Sequence, residues 1–241
     1  MRVMPANNSK WQVHFWQGKW GGLGHLYSPG ERKGPYPHLP YALDNGAFPA
    51  WTSGRAWYEE SWWQHAMWYL QQDQSPLWLL VPDVVADRDG TIARWNHYEP
   101  RLRSNGQLPC DLAFAVQDGM QPSDVPKGAG VVFVGGTTNW KWDTVEMWCA
   151  EFPRVHVGRV NGYADLVRCH QAGAESCDGT GWFRGDRKQL AGLQQFLREQ
   201  ATCVNDITLG NTMRKTTELP CGYVQATFLP NTEWTARGVP E

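Results

Sequence analysis

The chain has 241 residues, 41% of them hydrophobic, and a mean hydropathy of −0.53. That suits one large α/β domain or two small ones with a full core, and it excludes a membrane protein, because no apolar run approaches the roughly 18 residues of a span. A net charge of −2, from 24 Asp and Glu against 22 Lys and Arg, excludes global attraction to nucleic acid, so a polyanion would have to find a local patch. The N-terminus, Met1-Arg-Val-Met-Pro-Ala-Asn-Asn8, has no apolar leader segment, and the expected compartment is the cytoplasm, or the host cytoplasm if a phage encodes the chain. Six cysteines, at 110, 149, 169, 177, 203 and 221, form no C-x-x-C pair, so free thiols are expected, with neither a metal nor a cofactor. Most of the fifteen tryptophans suit core and helix faces; a few could stack on a planar ligand.

In chain order, Val13–Trp16 reads as a first strand. Residues 18–40, with Gly21-Gly22, Ser28-Pro-Gly30 and Gly34-Pro-Tyr-Pro37, are too broken for regular structure and suit a lid or binding loop. Tyr41–Leu43 is a short strand that delivers Asp44-Asn-Gly-Ala-Phe48 to a turn, and Arg55–Gln72 reads as a helix. Leu77–Val81 is a strand closed by Pro82-Asp83, and a helix follows over Thr91–Ser104. Leu112–Val116 runs into Gln117-Asp-Gly119, and Val131–Val134 into Gly135-Gly136. A helix over Asn139–Glu151, a strand Val155–Val157 ending at Gly158, and a helix Tyr163–Gln171 come next. The strand Ala174–Cys177 then leads to Asp178-Gly-Thr-Gly181, and Arg187–Gln200 is a clear helix. Short, wholly apolar strands alternating with helices imply parallel strands covered on both faces. A single-domain α/β (β/α)8 TIM-like barrel over residues 1–241 fits best, with 201–241 a C-terminal extension and an open doubly wound sheet the second choice.

Strand ends therefore deliver Asp44, Asp83, Gln117, Gly135-Gly136, Gly158 and Asp178, which a barrel would bring to one face. Two carboxylates there can divide the labour, one attacking carbon and one moving a proton. An acid and an amide can read the edge of a heterocycle. Each element also has a plain structural role: Asn45-Gly46 is an ordinary turn signal, Asp178 can cap the next turn, and Pro82-Asp83 can simply end a strand.

These segments resemble the tRNA-guanine transglycosylase superfamily. Leu43-Asp-Asn-Gly-Ala-Phe48 is similar to its Asp-Ser-Gly-Gly-Phe motif, Ala115-Val-Gln-Asp-Gly119 to its Val-Gln-Gly-Gly segment, and Val134-Gly-Gly136 to its Gly-Gly-Leu loop. Asp165–Asp178 resembles the segment leading to the nucleophile. The likeness, from about Tyr41 to Asp178, is nearest to the short phage and bacterial 7-deazaguanine DNA transglycosylases (DpdA-like). It implies exchange of guanine in DNA for a 7-deazaguanine base such as 7-cyano-7-deazaguanine. Asp178 would be the nucleophile at C1′ and Asp44 the general acid/base. Asp83 and Gln117 would read the base edge, and the N–H groups of Gly135 and Gly136 would face its carbonyl. Phe48 would stack on one ring face, with Val157 and Gly158 near the other. Partners would be DNA, the free base and further enzymes of a modification pathway. The chain departs from the tRNA enzymes in lacking their clustered cysteine–histidine zinc ligands and in placing Gly46-Ala47 where they carry Gly-Gly. Asp83, in Pro-Asp-Val-Val85, matches their second acid more loosely.

Arg184, Arg187 and Lys188 are candidate phosphate contacts, with Arg214-Lys215 in the tail and Lys10, Lys19, Arg32 and Lys33 around the Gly/Pro-rich loop; a solvated charged surface is the alternative. His25, His156 and His170 have no evident partner in the sequence and read as structural. Rival readings are a tRNA-directed exchanger or an N-glycosidase on the same barrel, and a non-catalytic nucleobase- or DNA-binding protein.

Overall fold

The computed structural model describes residues 1–6, 10–30 and 34–210, and it forms a single α/β barrel. Eight parallel strands follow one another around it: β1 Arg2–Pro5, β2 His25–Tyr27, β3 Tyr41–Leu43, β4 Trp78–Leu80, β5 Asp111–Val116, β6 Val131–Val134, β7 Val155–Val157 and β8 Ser176–Gly179. β1 pairs with β8, Met4 facing Asp178 in register, and bridges Val3–Leu23 and Ala6–Leu26 bring β1 against β2, so the sheet all but closes. The helices are α1 Trp11–Trp20, α2 Ala47–Thr52, α3 Glu59–Leu70, α4 Arg88–Ser104, α5 Thr138–Glu151, α6 Tyr163–Ala172 and α7 Arg187–Gly210.

The strands bury both faces, which is why β4 and β6 and the run Leu112–Val116 of β5 read as continuously apolar. In β5, Leu112, Phe114 and Val116 pack outward into the layer shared with the helices, while Ala113 and Ala115 point into the barrel. Met4, Leu26, Ala42, Trp78, Leu80 and Val131 fill the same interior, with Phe133 packed against them. Small Ala42, Ala113 and Ala115 leave room for Trp78, whose ring meets His156 edge-on at 4.7 Å between centroids. Side chains thus plug the barrel, and only its mouth is left for chemistry.

Several sequence expectations are corrected. Val13–Trp16 lies inside α1, not in a strand. Val13 and Trp16, three apart, are buried while Trp11 and Phe15 are exposed, the spacing of a helix face that a four-residue apolar run does not reveal. The first strand is Arg2–Pro5, and β2 lies within the segment 18–40 read as irregular; at three residues, His25–Tyr27 is too short to show a period. β8 runs to Gly179, so Asp178 sits within the last strand rather than beyond it. Gly179 is required there, because a Cβ would lie 2.0 Å from the Val160 carbonyl oxygen. The helix after Arg187 continues past Gln200 to Gly210; Arg32, Lys33, Arg214 and Lys215 fall outside the described residues.

Candidate active site

The C-terminal ends of the strands enclose a cavity of about 470 Å³. Its floor includes Leu26, Leu80 and Phe133 from the barrel interior, and its walls carry Asp44, Asp83, Gln117, Gly135, Gly136 and Asp178. The strand-end residues singled out from β3, β4, β5, β6 and β8 therefore converge. Phe48 and Arg184 also line it, whereas Arg187 and Lys188 are exposed at the start of α7 and do not.

Asp44 follows β3. Its Oδ2 accepts a hydrogen bond from the Ser28 hydroxyl (2.8 Å) and its Oδ1 one from the Asn45 N–H (2.9 Å). Burial pushes its carboxyl up to about 6; the Ser28 bond opposes the shift, and the neighbouring Asp178 and Asp83 carboxylates add to it. Its amide neighbour Asn45 ties two strands together: Nδ2 donates to the Val81 carbonyl (3.0 Å) and to Asp83 Oδ1 (2.7 Å), and Oδ1 accepts from Ala47 N–H (2.8 Å). The turn works because Gly46 takes a left-handed φ of 74° tight against Pro29.

Asp83 and Gln117 are buried and bonded to each other, Gln117 Nε2 donating to Asp83 Oδ2 at 2.6 Å. Burial raises the Asp83 carboxyl above its ordinary value, against the Asn45 bond. Gln117 Oε1 accepts from the backbone N–H of Ala86 (2.9 Å) and of Gly136 (3.0 Å). Gln117 thus keeps one amide hydrogen for a ligand, and each Asp83 oxygen keeps a lone pair. The expectation for the glycine pair is corrected: Gly135 N–H is bonded to the Val116 carbonyl in the strand ladder and Gly136 N–H to Gln117, so both donors are already engaged.

Asp178 is held from the other side. His156 Nε2 lies 3.1 Å from its Oδ1, and the Arg159 backbone N–H donates to the same oxygen at 3.2 Å. His156 is fully buried in the barrel, its Nδ1 2.8 Å from the Ser176 hydroxyl and its ring stacked on Phe133 at 4.9 Å. With the Ser176 hydroxyl donating to Nδ1, Nε2–H faces the carboxylate. Among the described residues Asp178 Oδ2 has no hydrogen bond, which leaves one oxygen for a substrate.

Arg159 takes a left-handed φ of 57°, rare for a side-chain-bearing residue and here overdetermined by its surroundings. Lys141 of α5, 2% exposed, donates from Nζ to the carbonyls of Gly158 (2.8 Å) and Arg159 (3.1 Å). Burial, and then the Arg159 charge, lower the Lys141 ammonium to about 8. The Arg159 guanidinium bonds the Gly136 carbonyl and sits 4.4 Å from the centre of the Phe48 ring, so one face of Phe48 is already covered by a cation. The Phe48 ring also meets Trp51 at 5.9 Å between centroids, so a base stacking here would meet the guanidinium plane.

Val157 does not fulfil its expected role. It alternates with His156 and packs, fully buried, in the outer layer beneath the helices. Gly158 contributes its carbonyl to Lys141 rather than a surface to the cavity. The sequence reading missed His156, Lys141, Arg159, Asn45 and Ser28 as parts of the site. For His156 a signal existed: a polar residue between Val155 and Val157 in a strand points to the opposite face from both, into the barrel. Lys141, between Trp140 and Trp142 on a helix, gave none.

No family model matches the sequence, and no curated protein matches it either. Among solved structures the chain is similar to a chain of the BexX/CysO complex of Amycolatopsis orientalis, with a TM-score of 0.51 and 13% identity over 90% of this chain and 94% of that one. A likeness at that identity concerns the shared barrel.

Proposed function

We propose that the chain exchanges guanine in DNA for a 7-deazaguanine base through a covalent sugar–Asp178 intermediate. The observation that carries this reading is the unequal treatment of two carboxyls in one cavity. Asp44 is driven by burial toward about 6, where it can both give and take a proton near neutrality, while Asp178 is aimed by an imidazole and a backbone N–H. In the first step a carboxylate oxygen of Asp178 bonds to C1′ as the bond from C1′ to the guanine nitrogen breaks. The electron pair leaves with the guanine, which takes the Asp44 proton. In the second step the incoming base gives its ring N–H proton to Asp44 and attacks C1′, and the Asp178 ester bond breaks. Two displacements retain configuration.

Asp83 and Gln117 fit the readers of the base edge, since each keeps hydrogen-bonding capacity after satisfying the other. A target base in duplex DNA would have to leave the stack to reach a cavity at this depth. Arg184, at the rim, is placed for a backbone phosphate.

Incubation with 7-cyano-7-deazaguanine and either DNA or tRNA, followed by nucleoside mass spectrometry, tests the reading. A 7-deazaguanine deoxynucleoside formed only with DNA, and only when Asp178 is intact, is the expected result. Modified tRNA would keep the chemistry and change the polymer. Guanine release without insertion would make the chain an N-glycosidase, and binding without turnover a nucleobase- or DNA-binding protein.

A further inference from the structure

A second cavity, of about 340 Å³, lies beside the first and shares Ser28, Asn45 and Pro49 with it as a common wall. The wall is one residue thick at the point that matters: Ser28 faces the second cavity while its hydroxyl holds Asp44. The far side is formed by Arg55, Trp57, Tyr58 and Ser61, between α2 and α3.

Two of these side chains are exposed and uncommitted. Tyr58 is 69% exposed and, among the described residues, its ring meets no other ring or cation, whereas nearly every large aromatic nearby is paired. Arg55 is exposed and, among the described residues, makes no ion pair or side-chain hydrogen bond, although Arg94 and Arg101 close by are both committed to ring faces. The Tyr58 backbone is anchored: it is the residue before α3, and its carbonyl accepts the Trp62 N–H at 3.3 Å. Trp57, which lines the same cavity, is locked by its indole N–H on the Asn45 carbonyl (2.8 Å) and by Arg94 over its ring. A bare aromatic on an anchored backbone, lining one cavity with an uncommitted cation and an exposed Ser61, is the chemistry of a stacking platform for one nucleotide of a single strand.

We infer that this second cavity takes the nucleotide next to the target on the same DNA strand, its base on Tyr58 and its phosphate on Arg55. The inference rests on the exchange reading and adds to it a strand-binding subsite. A strand whose target sugar lies between Asp44 and Asp178 must leave the first cavity through its mouth, and past the exposed Pro49, which lines both cavities, Arg55 and Tyr58 supply both groups a neighbouring nucleotide needs. The extruded nucleotide would then be gripped through its neighbour, and a free nucleoside would lack that hold.

Fluorescence anisotropy of the full chain with a labelled single-stranded oligodeoxynucleotide tests it. Tyr58→Ala is expected to weaken binding by about 5- to 150-fold, and Tyr58→Phe to retain it, since a stacked ring is worth about 1–3 kcal/mol. Arg55→Gln is expected to lower the slope of log affinity against log salt by about 0.7, the loss of one phosphate contact on a single strand. Circular dichroism of each variant shows that it folds. Equal binding by wild type, Tyr58→Ala and Arg55→Gln at every salt concentration overturns the subsite, as does a wild-type chain that binds no single strand. Base exchange that persists in such variants leaves the exchange reading in place. Tyr58-dependent binding by a wild-type chain that exchanges no base does the reverse, overturning the reaction and supporting the subsite.

Discussion

On the β3–β5 side of the mouth, Asp44, Asn45, Asp83 and Gln117 are fixed by neutral amides, a hydroxyl and backbone groups, and burial raises both carboxyls. On the β7–β8 side, Asp178 is fixed by an imidazole and by the N–H of a strained residue; the buried Lys141 ammonium holds that backbone, and the half-buried Arg159 guanidinium ties it to Gly136. The first side suits recognition and proton transfer, because amides satisfy a carboxyl without forcing it to ionise. The second suits a nucleophile, because the imidazole and the N–H hold one carboxylate oxygen and leave the other for a substrate. The same residue type is thus held by different partners on the two sides of one cavity.

The sharpest way to break the comparison is to remove each acid in turn. Asp178→Asn is expected to abolish base exchange, and Asp44→Asn to slow it by about 10²–10⁴, the usual worth of a positioned acid/base. Both should keep the far-ultraviolet circular dichroism of the wild type. Loss of folding in Asp44→Asn would make Asp44 a structural residue.

Lys141→Met tests whether the cation side depends on its buried ammonium. Two carbonyls lose their donor, with a cost of about 1–3 kcal/mol, and the Arg159 N–H is released from its fixed aim at Asp178. A lower urea midpoint and slower exchange are expected together. A midpoint shift with unchanged exchange would confine Lys141 to stability.

The pH dependence separates the two sides more gently. Folding raises the Asp44 carboxyl from 3.8 to about 6, so the folded chain holds that proton more tightly than the unfolded one. The corresponding stability is fully present below about pH 3.8 and is lost as pH rises through about 6. Asp44→Asn removes this loss, so its melting temperature relative to wild type should be higher at pH 8 than at pH 4. A constant offset across that range would mean that Asp44 is not held near 6.

The smallest effect distinguishes the rim from the outer helix. Arg184→Gln is expected to weaken DNA binding modestly and to lower the salt slope by about 0.7–0.9, one phosphate contact. Arg187→Gln and Lys188→Gln, away from the cavity, should change it less. Titration of affinity against salt checks the order.

The fold was largely legible in the sequence. Runs such as Leu112–Val116 and Val131–Val134 are apolar on both faces, and the chain gave six of the eight strands and the acids that follow them, because a parallel strand covered on both sides needs such a run and ends where its polar residue begins. Asp44, Asp83, Gln117 and Asp178 were visible for that reason. Arg2–Pro5 and His25–Tyr27 were not, since three or four residues carry no period. The tertiary structure alone decided how the acids differ. Asp178 meets His156 across a strand pair, Gln117 meets Asp83 across another, and Lys141 reaches the carbonyls of Gly158 and Arg159 from a helix. Those contacts join residues 17 to 34 positions apart, and a proton affinity depends on burial and on neighbours in space, which sequence order does not record.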